Sequence, residues 1–295
     1  MFVLAIDFGN TTLKAALFEN EVLLEVRYSL SIIDLEDWIN QIRIISKNTS
    51  SNFLEGIIIS SVRKNEEIEL SFVENLKTKL IIKSNLSSKK IATNSKVISV
   101  ILLDENTPLP IQNNYKTPKT LGKDRLAAVI GAYFLQKNLI KVPTLVIDAG
   151  TCITFDFINT NSNLSKAIYE GGSISLGLQM RFKALHHFTA KLPLLEADEK
   201  LPTPIGKSTQ EAIQSGVQYG LIAEIKGIID FYQNKSNTKL TIIICGGDAK
   251  ILKKWWEEYI RNFDSDTYPK WTIEPNLVLI GLQRIFQFIK NNEDN

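Results

Sequence analysis

The sequence predicts an α/β protein made of two similar halves, and three observations carry that expectation. An apolar strand ending in Asp, then any residue, then Gly occurs twice: VLAIDFGNTTLKAALF from Val3 to Phe18 and TLVIDAGTCITFDFI from Thr144 to Ile158. Strand-like and helix-like runs alternate on both sides of the chain's middle, as in strand–helix–strand crossovers. Residues 84–120 between them are polar, and Asn106 to Thr120 holds three prolines in fifteen residues. That stretch reads as extended loop, so the expected domains are 1–118 and 119–295.

Taken in order, Phe2 to Ile6, Thr11 to Phe18 and Val22 to Tyr28 are strand candidates, with Glu19-Asn20-Glu21 as a turn. Leu35 to Ile45 is a predicted helix, because Leu35, Trp38, Ile39, Ile42 and Ile45 recur at helical spacing. Phe53 to Val62 reads as a buried strand, Ile68 to Leu76 as helix and Leu80 to Lys83 as a short strand. Beyond the boundary, Leu126, Ala127, Ile130, Tyr133 and Phe134 give Leu121 to Leu139 a helical period. Strands fit 144–158 and 168–175, and helices fit 177–188, 208–234 and 249–262. Leu240 to Cys245 is a short buried strand closed by Gly246-Gly247-Asp248, and Asn276 to Ile289 is apolar at helical spacing.

Composition narrows the function classes. With 295 residues, 44% of them hydrophobic and 22% charged, the chain can bury a core without disulfides or a structural metal. A net charge of +2 does not argue for a polyanionic partner. Cys152 and Cys245 lie in separate apolar runs, which suits a reducing compartment better than a disulfide framework. The N-terminus lacks a basic leader and meets Asp7 early, and no apolar run approaches the roughly 18–20 residues of a membrane span. A cytoplasmic location is therefore expected. His186 and His187 are adjacent, so on a helix they cannot form an i, i+4 zinc pair.

The repeated Asp-Gly turn has a chemical reading. Gly permits positive φ and close approach of a ligand to the backbone. Thr11, Thr12, Thr151 and Thr154 add hydroxyls, and turn N–H groups can wrap a phosphate. An Asp at the strand end can hold a hydrated cation. Two such turns, one from each domain across a cleft, would clamp a nucleotide. Neither a Walker A loop nor a G-x-G-x-x-G fingerprint is present.

A strand ending D-x-G-x-T in both halves resembles the superfamily of acetate and sugar kinases, heat-shock chaperones and actin. Within it, DFGNTTLK (Asp7 to Lys14), GKDR (Gly122 to Arg125) and DAGTCIT (Asp148 to Thr154) together resemble type III pantothenate kinase. YEGG (Tyr169 to Gly172), AKLP (Ala190 to Pro193), IGKST (Ile205 to Thr209) and CGGDA (Cys245 to Ala249) follow in the family's order. The resemblance implies two duplicated ribonuclease-H-like (actin-like ATPase) domains around an inter-domain cleft. It implies ATP-dependent phosphorylation of pantothenate to 4′-phosphopantothenate, the first step of coenzyme A biosynthesis, by a homodimer whose interface lies in the C-terminal domain.

By the same resemblance, Asp7, Phe8, Gly9, Asn10, Thr11, Thr12, Leu13, Lys14 and Thr151 bind ATP, and Asp7 holds its Mg2+. Asp148 binds a monovalent cation, K+ or NH4+. Tyr115, Gly122, Lys123, Asp124, Arg125 and Thr209 bind pantothenate, with Asp124 as general base. One departure is visible: where the family commonly reads G-G-x-I-x-P-G, Gly171 to Gly177 has Leu176 in place of Pro. Three rival readings stand beside this one, of which a degenerate, non-catalytic ATP binder is opposed by the intact Asp7, Asp124 and Asp148. A nucleic-acid-binding accessory factor would use the Lys-rich stretch Lys77 to Lys96, and another small-molecule kinase of the superfamily would lack GKDR and IGKST.

Overall fold

The computed structural model describes residues 1–48, 54–62, 71–76, 98–136, 142–160, 166–236, 240–261 and 268–293. The expected strand Leu80 to Lys83 and the Lys-rich stretch Lys77 to Lys96 lie outside them.

The chain divides into two compact units. The first comprises Met1–Pro110, Lys116–Phe134 and Val278–Asn295; the second comprises Ile111–Tyr115 and Leu135–Leu277. In the first, strands β1 (Phe2–Phe8), β2 (Leu13–Glu19) and β3 (Val22–Tyr28) form an antiparallel meander. Helix α1 (Ile32–Asn48), strand β4 (Leu54–Ser61), helix α2 (71–76) and strand β5 (Ser99–Leu102) follow, and β4 and β5 add in parallel beside β1. The sheet order is β3-β2-β1-β4-β5. Helix α1 begins three residues before its periodic stretch. Ser31 Oγ accepts from the Asp34 amide at 3.1 Å and donates to Asp34 Oδ2 at 2.6 Å, and the Ser31 amide donates to that same oxygen at 3.1 Å. This reciprocal box satisfies the first turn's donors and sets the start.

The second unit repeats the plan. Strands β7 (Thr144–Ala149), β8 (Cys152–Asn159) and β9 (Ile168–Leu176) form the meander, and β10 (Thr241–Cys245) and β11 (Trp271–Ile273) run parallel to β7. The order β11-β10-β7-β8-β9 is the first sheet's order again, with the short β6 (Gln112–Asn113) added beside β9. The duplication expected from two Asp-Gly turns is thus a duplication of topology. Leu145, Ile147, Ala149, Ile153, Phe155 and Phe157 face one core, shared with Leu221, Ile225, Leu252 and Trp255. The alternating residues Asp148, Thr154 and Asp156 therefore take the other face.

The helices are α3 (Lys123–Leu135), α4 (Leu178–His187), α5 (Thr209–Gln214), α6 (Gly220–Ser236), α7 (Ala249–Ile260) and α8 (Leu277–Glu293). The helix expected over 208–234 is two helices joined by a π turn, Ser215–Tyr219. That wider turn places Gln218 inside, where it accepts from the Asp198 amide at 2.8 Å and donates to the carbonyls of Asp198 and Lys200.

The compact units do not follow a cut at residue 118. Most of α3 and α8 belong to the first unit, so the chain's last helix returns to its first sheet. Small residues make that possible. A Cβ on Gly281 of α8 would lie 1.8 Å from the Ala127 carbonyl oxygen of α3, and one on Gly56 of β4 would lie 1.9 Å from the Phe286 ring. Gln283 donates to the Asn20 carbonyl, and Arg284 pairs with Glu21. No helix among the described residues is long and apolar enough to cross a membrane.

Gly281→Ala is expected to destabilise the protein by about 1–3 kcal/mol, since backbone must move to admit the methyl group. Gly227→Ala, on an exposed face of α6 with nothing within 4 Å, is expected to stabilise by about 0.5–1 kcal/mol. Urea unfolding of the two variants checks both signs.

Candidate active site

Asp7 ends the central strand of the first sheet and is only 5% exposed. In register it stands between Lys14 of β2 and Ser60 of β4. The Ser60 hydroxyl donates to Asp7 Oδ1 at 2.5 Å. Beyond Phe8 the chain turns: the Gly9 amide donates to the Thr12 carbonyl at 3.1 Å, leaving Asn10 and Thr11 exposed. A side chain on Gly9 would press at 3.0 Å on that carbonyl.

Asp148 ends β7, the counterpart strand, opposite Thr154 of β8 and Cys245 of β10. Here the Gly150 amide donates to the Cys152 carbonyl at 3.0 Å. The second hairpin is therefore one residue shorter: Ala149 pairs with Ile153, where Phe8 pairs with Leu13. Gly246 follows β10 at φ +91°, and a Cβ there would lie 2.6 Å from Asp148 Oδ1 and 2.3 Å from the Ala149 carbonyl. Only glycine fits that corner, which the Asp248 amide closes by donating to the Ala149 carbonyl at 3.0 Å. Both cysteines are free thiols.

Gly177 at the start of α4 lies on the second turn, where a Cβ would meet the Thr151 carbonyl at 2.1 Å and the Gly150 carbonyl at 2.5 Å. The neighbouring Leu176 is the residue that departs from the family's Pro. Arg181 Nε donates to the Leu176 carbonyl at 2.9 Å, and Nη2 reaches Ser175 Oγ and, at 2.6 Å, Glu224.

Gly122 to Arg125 open α3 in the first unit. Asp124 Oδ1 accepts from the Arg125 amide at 2.7 Å, so the carboxylate turns back onto the positive end of its own helix. Gly122 leaves it room, since a Cβ there would lie 2.6 Å from Asp124 Oδ1. Arg125 is buried. Lys123 does not simply point to solvent: its Nζ donates to the Pro118 carbonyl at 3.1 Å. Its charge also reaches Asp104; burial raises that carboxyl, but hydrogen bonds from Thr107 and the amides of Asn106 and Thr107, aided by Lys123, bring it below the usual value.

Tyr115 lies in the second unit, its ring parallel to that of Tyr169 at 6.1 Å between centroids. Thr209 is the exposed first residue of α5, after the capping Ser208. Ser60, Asp156 and Arg181 were not singled out in the sequence. Ser60 becomes visible only with the register of β1 on β4, whereas an Asp within the apolar run ITFDFI was a readable signal for Asp156.

Similarity to known proteins agrees with this geometry. A family model described as type III pantothenate kinase matches residues 3–230. A type III pantothenate kinase of Bacteroides fragilis is 36% identical over 97% of both chains, and that of Christiangramia forsetii is 39% identical over 84% of this chain and 87% of its own. Among solved structures, the Lmo2764 protein of Listeria monocytogenes aligns over 99% of this chain and 100% of its own at TM-score 0.51 and 14% identity, a likeness of fold. Two sheets of one topology, each with an Asp-tipped hairpin beside a parallel strand, define a duplicated ribonuclease-H-like protein of the actin-like ATPase class. Within that class the chain belongs to the type III pantothenate kinase family, whose members are phosphotransferases.

Burial raises the Asp248 carboxyl above 3.8. A carboxyl that is a weaker acid folded than unfolded supports folding fully below the unfolded value, and that support is lost as pH rises through the folded value. Asp248→Asn is therefore expected to be more stable than wild type at neutral pH, with the gap closing below about pH 4. Melting temperatures across pH check this.

Proposed function

We propose that the residues above carry out ATP-dependent phosphorylation of pantothenate to 4′-phosphopantothenate, at the entry to coenzyme A synthesis. The observation that carries this reading is Asp124, a part-buried carboxylate fixed at a helix N-terminus within Gly122 to Arg125, in a chain of this family. Its carboxylate takes the proton of the primary hydroxyl as that oxygen attacks the γ-phosphorus. Arg125 grips the substrate carboxylate in bidentate fashion, and Lys123 buttresses the helix start. Tyr115 and Thr209 complete the pantothenate contacts.

The exposed turn from Gly9 to Thr12, with Lys14 opposite Asp7, offers amides and hydroxyls to the phosphates of ATP. Phe8 and Leu13, both buried, anchor that turn in the core beneath it, and Thr151 offers a second contact from the shorter hairpin. Among the described residues no three metal-ligating side chains cluster. That suits Mg2+ held by one carboxylate and the substrate phosphates, so Asp7 fits an ion that arrives with the nucleotide. Asp148, with the Thr154 hydroxyl opposite it in register, offers oxygen atoms that would hold a monovalent cation, K+ or NH4+. These cations supply charge neutralisation for the phosphates; positioning and electrostatics, rather than covalent catalysis, carry phosphoryl transfer.

A homodimer is part of the proposal. Phe188, Leu194 and Ile205, exposed by 81%, 53% and 74%, lie in the segment that runs from α4 to Thr209. Exposed apolar side chains of this kind suit an interface with a second copy. Light scattering should give twice the 33.3 kDa chain mass; a monomeric mass removes the dimer.

Asp124→Asn is expected to lower turnover by about 10²–10⁴-fold with the melting temperature preserved. Product is read as phosphopantothenate by mass spectrometry. A folded variant with near-wild-type turnover removes Asp124 as the base.

A further inference from the structure

Asp156 is a carboxylate in the middle of β8, only 1% exposed, on the sheet face opposite the α6 and α7 core. Burying a charge there is costly unless it is fully partnered. Hydroxyls are among its partners: Tyr169 Oη donates to Oδ1 at 2.6 Å, and Thr154 Oγ1 donates to Oδ2 at 3.0 Å. Thr154 in turn stands opposite Asp148 in register.

The YEGG motif explains how Tyr169 reaches it. The register of β8 on β9 shifts between Phe157 and Ile158, so that Tyr169 opposes Ile158 while Gly171 opposes Phe157. Gly171 takes φ +109°, and its missing side chain faces the Tyr115 ring, 3.6 Å from where a Cβ would be. Gly172, opposite Asp156, has no room for a side chain, since a Cβ would lie 1.8 Å from the Phe155 carbonyl. The bulge thus places the Tyr169 ring flat against Tyr115 and its hydroxyl on Asp156. The Tyr115 amide is itself held by Asn113 Oδ1 at 3.0 Å, and the Asn114 amide by the Tyr169 carbonyl at 3.0 Å.

We propose that Asp156 is a positioning residue for pantothenate: it fixes Tyr169, and through the stacked rings it fixes the substrate-facing side of Tyr115. This rests on the reading of Tyr115 as a pantothenate contact. The chain of contacts is local to one unit and runs from Thr154, beside Asp148, through Asp156 and Tyr169 to Tyr115. Tyr169→Phe removes one hydroxyl and keeps the ring stack; Asp156→Asn keeps the shape of the side chain.

The test measures KM for pantothenate and for ATP, and pantothenate affinity by calorimetry, in wild type, Tyr169→Phe, Asp156→Asn and the double variant. Each single change is expected to raise the pantothenate KM and Kd about tenfold, the scale of one hydrogen bond to a charged group. KM for ATP should stay within about twofold, and the double variant should be no worse than Asp156→Asn alone, because the hydroxyl acts only through the carboxylate. A purely structural role would lower the melting temperature and leave the pantothenate constants alone, and that result overturns the proposal. So does an equal rise in both substrates' KM, or additivity in the double variant. Tyr115→Ala separates the two readings. If it raises the pantothenate constants and Tyr169→Phe does not, only the positioning role falls. If it leaves them unchanged, the Tyr115 assignment falls and the positioning role with it.

Discussion

A carboxylate at the carboxyl end of a buried central strand is the constraint around which each half of this protein is arranged. Asp7 has almost no solvent, so its charge has to be met by its neighbours, and Ser60 on the adjacent parallel strand meets it. The carboxyl ends of parallel strands are where open α/β sheets place ligands. Glycines then clear the surroundings: Gly9 at the first turn, and Gly177 and Gly246 pressed against the second. A methyl group at either of the latter two would overlap backbone that the turn cannot move without losing its shape.

The two halves share a topology and differ in the details that decide chemistry. The first hairpin has the longer turn, with exposed Asn10 and Thr11, and its carboxylate is held by a serine hydroxyl. The second is shorter; Asp148 has Cys245 where Asp7 has Ser60, and a positive-φ glycine beside it. Duplication supplied one scaffold twice, and these differences give the two turns unlike lengths and unlike surroundings for their carboxylates. The last helix then returns to the first sheet, so that the chain order of the halves and the compact units no longer coincide.

Much of this was legible in residue order. Both meanders followed from apolar alternation broken by Asp-Gly, and α1, α3, α7 and α8 from their 3.6-residue period. What was not legible has physical causes. Strand β5 hid in a polar, proline-bearing region, and β11 is three residues of a sequence, YPKWTIE, that looks like a turn. The π turn within 208–234 keeps a helical pattern while shifting one residue inward. Ser60 acquires its role only from strand register. The hydrogen bonds of Arg181 to the Leu176 carbonyl, Ser175 and Glu224 join residues that no local pattern links. The motif residues were different: their types and order carried the resemblance to a family before any fold was known, and the family model matches residues 3–230.

The central claim is that this duplicated scaffold transfers phosphate from ATP to pantothenate with help from a monovalent cation at Asp148. Its most direct test is ADP release by the purified protein with Mg-ATP, with and without pantothenate, in KCl and with NaCl in its place. The account predicts turnover that requires pantothenate and falls when K+ is withdrawn. Turnover that is indifferent to pantothenate, or absent in both KCl and NH4Cl, would contradict it.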